Sequence, residues 1–138
     1  MAAPEDFTKL VLWQKSQELA AAFVALVATL PRNRAADTIG AQVLRPAGSI
    51  PANIAEGYGR YSQAAYRNHL SIARGSVFET HSWIDLLHRS GFIDEAQRSK
   101  LVEECQSIGK LLTLRMKSLS ESKLSYAREE SEHYDADA

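Results

Sequence analysis

The sequence predicts an all-α protein, an up-and-down four-helix bundle whose second helix is kinked by proline. Apolar residues recur at spacings of three, four and seven in successive stretches, while no stretch alternates with period two. At 138 residues, 45% of them hydrophobic, the chain suffices for one domain with one core and is too short for two ordinary ones. Amphipathic helices joined by short connections pack as an antiparallel bundle.

Asp6 is placed to cap a first helix that carries apolar residues from Phe7 to Leu30, and Pro31 stops it. Between Leu19 and Leu30 only Thr29 is polar, so this half needs neighbours on more than one side, which predicts subunit contacts as well as an internal core. The polar segment Pro31 to Ala36 connects to a second helix, with Asp37 as its cap and Ile39, Val43, Leu44, Ile50 and Ile54 for burial. Pro46 and Pro51 each lack the amide that would bond back one turn, so this helix should kink or break between them. Ser62 caps a third helix from about Gln63 to His88, with Leu70, Ala73, Val77, Ile84 and Leu87 among its core positions. Gly91 ends it, Asp94 caps a fourth helix, and Leu101, Cys105, Ile108, Leu112 and Leu119 form the last seam. The bundle domain is expected over residues 1–128, with residues 129–138 an acidic, solvated and disordered tail.

The formal net charge of -1 hides an asymmetry. The last ten positions hold 5 of the 17 acidic residues, which leaves 12 against 16 Lys and Arg, or +4, over residues 1–128. The lone Cys105 excludes an intramolecular disulfide, and no secretory leader opens the chain, so a reducing cytoplasm is expected. The longest apolar run, Leu19 to Ala28, is shorter than the roughly 20 residues a membrane helix needs.

The stretch Ser49 to Arg60, SIPANIAEGYGR, is the most unusual in the chain. As a phosphate cradle it offers only Gly57 and Gly59, with no third glycine, no following Lys-Ser/Thr and no preceding strand. As a nucleophile, Ser49 has neither a Gly-x-Ser-x-Gly setting nor an assignable base. Asp85 and His88 share a helix face at the spacing of a bundle metal motif, but no second copy exists. No enzymatic activity, metal or other cofactor is therefore expected.

A stripe of charge is the stronger signal. Arg60, Arg67, Arg74, His81 and His88 follow one another at steps of seven, and such a step drifts only about 20° around a helix. Arg67 to His81 spans roughly 21 Å at about 1.5 Å per residue. Two uses of the row stay open: phosphate contact with a nucleic acid, or ion pairing with acidic partners such as Glu56 or Glu79 across helices or subunits. Tyr61 or Tyr66 offers a ring for stacking on unpaired bases, or for packing in the bundle.

SIPANIAEGYGR followed by Ile72 to Ser76, IARGS, resembles the 23S rRNA-intervening-sequence protein family, also called the four-helix bundle protein family, over about Phe7 to Leu119. Its relatives include the accessory variability determinant proteins of diversity-generating retroelements. The resemblance implies a bundle subunit of a ring-like homopentamer and a small bacterial protein, often encoded within an insertion in a large-subunit ribosomal RNA gene. The accessory proteins bind nucleic acid and a reverse transcriptase through a basic surface, so both partner classes are implied here by likeness alone. The family motif falls on Ser49, Pro51, Asn53, Glu56, Gly57 and Arg60, then on Arg74, Gly75 and Ser76. Pro46 departs from the family, standing where the usual pattern has a second basic residue, which weakens any basic patch on helix two.

These residues read mainly as architecture. Gly57 and Gly59 are expected to end helix two tightly, and close approach of another helix would explain Gly75 in mid-helix, where glycine costs roughly 1 kcal/mol relative to alanine. Asn53 and Glu56 are placed to bind backbone groups freed at the kink or to pair with Arg60 or Arg74. The nucleic-acid reading rests on Arg60, Arg67, Arg74, Tyr61 and His81, and its competitor is an oligomeric interaction scaffold whose arginines are consumed by subunit interfaces.

Overall fold

Three of the four α-helices begin where a short polar side chain accepts from the first free amides. In the computed structural model the backbone is described for residues 6–136 and the side chains for residues 6–120. Four helices follow a 3₁₀ turn at Phe7–Lys9: α1 (Val11–Ala28), α2 (Arg34–Tyr58), α3 (Gln63–Arg89) and α4 (Glu95–Ala136). No strand occurs among the described residues.

Ser62 caps α3 through the Ala65 amide, and Asp94 caps α4 in a reciprocal box, its Oδ1 accepting from Gln97 N at 2.8 Å while Gln97 Oε1 accepts from Asp94 N at 3.0 Å. Between them α3 ends in a Schellman turn: Phe92 N bonds to Leu87 O, Gly91 N bonds to His88 O, and Gly91 takes φ 77°, where only glycine is free of strain. Two caps differ from expectation. Asp6 caps the 3₁₀ turn, since the extended Leu10 separates that turn from α1, and Asn33 caps α2 through Ala36 N, which leaves Asp37 inside the first turn.

Consecutive helices pack side by side, with α2 against α3 the most extensive pairing and α1 against α4 the least. Phe23 and Leu19 of α1, Val43, Ile50 and Ile54 of α2, Leu70, Ile84 and Leu87 of α3, and Ile108 and Leu112 of α4 are removed from solvent almost completely. At roughly 1.5–3 kcal/mol per large aliphatic or aromatic side chain, this burial is the main force closing the bundle. No helix is long and apolar enough to cross a membrane among the described residues. The helix assignment of α4 passes residue 128 without a break, and the side chains of the acidic segment 129–138 lie outside the described residues.

The prolines do not break α2, which runs continuously from Arg34 to Tyr58 with Pro46 and Pro51 inside it. Both rings are buried on the face that carries Val43, Ala47, Ile50 and Ile54. They serve as core residues, and packing on that face outweighs the hydrogen bonds that their missing amides forgo.

Candidate nucleic-acid interface

The motif of α2 forms a polar seam with α3. Ser49, Asn53, Glu56 and Arg60 recur at steps of four, three and four, so one stripe carries them. Asn53 Nδ2 donates to both Ser49 O and Ser49 Oγ at 2.9 Å, and Ser76 Oγ on α3 donates to Ser49 Oγ at 3.0 Å. With its amide committed as donor, Asn53 presents Oδ1 to His69 Nδ1 at 3.1 Å, which assigns the proton of that nitrogen to the shared bond. Glu56 accepts from Arg60 at 2.6 Å and lies 3.9 Å from His69 Nδ1. Thr80, fully buried, returns its hydroxyl to Ser76 O at 2.7 Å.

This seam requires Gly57, although not as a helix terminator. A Cβ there would lie 2.6 Å from His69 Cβ and 3.2 Å from Tyr66 O, so α3 passes directly over it. No helix of the same subunit approaches Gly75, where a Cβ would meet nothing within 4 Å. The same holds at Gly48. Gly48 and Gly75, which precede the bonded Ser49 and Ser76, are both exposed. Within the subunit, the close approach of a second helix is at position 57.

The charged stripe is shorter than its spacing implied. Arg60 lies in the turn after α2, not on α3, and is engaged by Glu56; His88, at the other end, stands 3.3 Å from Glu95 Oε2. Arg67, Arg74 and His81 remain, and they line the groove between α3 and α4. Lys110 and Lys117 of α4 line it with them. Arg74 crosses the groove, donating from Nε to Thr113 Oγ1 at 3.1 Å while its guanidinium carbon stands 4.9 Å from the centre of the Phe78 ring. On either side of that bridge lie hollows of about 630 Å³ and about 480 Å³, and neither is lined by a carboxylate among the described residues.

Tyr61 stands fully exposed beside Arg60, whereas Tyr66 is buried, edge-on to Tyr58 with Arg115 over its ring. Sequence reasoning missed His69, Phe78, Lys110 and Lys117. The lysines repeat the step of seven on α4, a signal that was present but was sought only on α3.

Asp85 accepts from Arg89 at 2.7 Å and His88 faces Glu95, and no group of three potential metal ligands exists among the described residues. Burial, then the nearby Glu104, pushes the Cys105 thiol up to about 12, which keeps it protonated and a poor nucleophile.

Residues 8–114 match the family described as 23S rRNA-intervening sequence protein. A crystal structure of a protein with unknown function from the S23 ribosomal protein family, from Bacteroides thetaiotaomicron, is 34% identical, with a TM-score of 0.73. The similarity covers 78% of this chain and 96% of that one. Among curated proteins, no sequence matches.

Proposed function

The chain belongs to the 23S rRNA-intervening sequence protein family, and from that premise we propose that it is a non-enzymatic, homo-oligomeric protein that binds nucleic acid along the α3/α4 groove. The observation that carries this reading is the composition of the groove: Arg67, Arg74, His81, Lys110 and Lys117 line it, and no carboxylate does among the described residues. Cations with no counter-charge beside them among the described residues attract a polyanion and release its condensed counterions on binding. Arg60 contributes less than the sequence suggested, since Glu56 already answers its charge.

A second reading is the oligomeric scaffold, and a different surface favours it. Val24 is 61% exposed on α1, in a run with the exposed Ala21, Ala25 and Ala28, and the open glycines at 48 and 75 leave a flat face on α2 and α3. Both surfaces suit a second copy of the chain, and a five-membered ring is what the family likeness adds. The two readings are compatible unless the groove itself is the subunit contact. Gel-shift titration of a structured RNA and a duplex DNA at low salt, with the mass of the free assembly measured in parallel, separates them. Binding by the intact oligomer supports the groove reading, whereas an oligomer that binds neither supports the scaffold.

A further inference from the structure

The groove has an apolar floor as well as a charged rim. In the larger hollow Val77 and Phe78 of α3 and Leu114 of α4 lie among Arg74, His81 and Lys110. Phe78 is 58% exposed and Leu114 62%, values unusual for large apolar residues flanking a cavity of about 630 Å³. Gly109 presents no side chain on the α4 wall, where its Cβ position is 3.9 Å from Val77, so the floor stays open. Arg74 lies over the Phe78 ring and holds that ring beside the cationic row.

A duplex laid across this groove would use the rim and leave the floor unused, because its base faces are stacked inside the helix. An unpaired strand brings both chemistries at once: phosphates for the cations and flat apolar bases for the ring. We infer that the groove takes a single-stranded polynucleotide, seating an unpaired base against Phe78 and Leu114 while Arg67, Arg74, Lys110 and Lys117 hold the flanking phosphates. The inference rests on the nucleic-acid reading above and names the ligand class of the same site. Stacking on an arene is tolerant of sequence, so the site selects strandedness and not a base.

The test is fluorescence anisotropy at one fixed salt concentration, with labelled oligouridylate and oligothymidylate of about twelve nucleotides and a duplex of equal length. Four proteins of checked oligomeric state are compared: the parent, Phe78→Ala, Phe78→Trp, and the double variant Arg67→Ala, Lys117→Ala. The parent should bind both single strands more tightly than the duplex. Phe78→Ala should weaken single-strand binding by roughly 5- to 150-fold and leave the duplex unchanged, while Phe78→Trp retains single-strand binding. If Phe78→Ala affects neither ligand, or both equally, while the double cation variant weakens both, the groove reads backbone charge alone; this inference then falls and the nucleic-acid reading stands. If the parent binds none of the ligands, both fall. If Phe78→Ala dissociates the assembly, Phe78 belongs to a subunit contact and the inference is overturned.

Discussion

Ser76 of α3 donates its hydroxyl to Ser49 of α2 at 3.0 Å, joining the two halves of the family motif across the most extensive helix pairing in the bundle. Ser49 Oγ also accepts from Asn53, so its removal leaves two donors short of an acceptor in a half-buried site. Ser49→Ala should cost about 1–2 kcal/mol in urea denaturation, and Ser76→Ala about 1 kcal/mol. The double variant should cost less than the sum by at least ~0.5 kcal/mol, because both changes break the same bond. Full additivity would show that the seam does not act as a unit.

Gly57 and Gly75 should respond in opposite directions to the same substitution. Alanine is the better helix former by roughly 1 kcal/mol, yet at position 57 its Cβ would sit 2.6 Å from His69 Cβ, an atom too near the α3 backbone to move aside. Gly57→Ala should therefore lose about 1–3 kcal/mol. Gly75→Ala meets open space within the subunit and should leave its stability equal or better. Gly75→Leu distinguishes a free face from a subunit contact: light scattering should report a smaller assembly if a second chain packs there, and an unchanged mass if none does.

That contrast also shows which parts of the sequence were legible. Helix number, order and most boundaries follow from periodicity and caps, because Ser62, Gly91 and Asp94 act on the backbone next to them. The prolines were harder to place. Their local effect is to remove hydrogen bonds, whereas the outcome depends on the core face that buries their rings. Glycine in mid-helix signals that something needs room, but not at which level the neighbour crosses, so close approach was read at Gly75, whereas within the subunit it occurs at Gly57. His69 had no local signature, since its partner Asn53 lies sixteen residues away and the contact exists only once α2 and α3 are paired. The step-of-seven arginines located the groove but overran it at Arg60, where the helix had not yet begun.

The Cys105 thiol should make the protein lose stability in alkali. Its folded value is raised from 9.0 to about 12 by burial, so between those limits the folded state keeps a proton that the unfolded state releases. The stabilisation is full below about pH 9 and declines as pH rises, by about 2 kcal/mol between pH ~9 and pH ~10.5. Cys105→Val removes this component while sharing every other titration. Denaturation at the two pH values should show the parent losing about 2 kcal/mol more than the variant. Equal losses would show that the thiol ionises in the folded protein as it does in water.

The central claim is that the α3/α4 cations touch phosphate, and the salt dependence of binding tests it most directly. The logarithm of the binding constant for one labelled RNA is plotted against the logarithm of salt concentration, for the parent and for the Arg67→Ala, Lys117→Ala variant at equal oligomeric state. The account predicts a steep line for the parent and a slope shallower by roughly 0.7–0.9 for each lost phosphate contact in the variant. Parallel lines for the two proteins, or a parent whose binding does not change with salt, would contradict it.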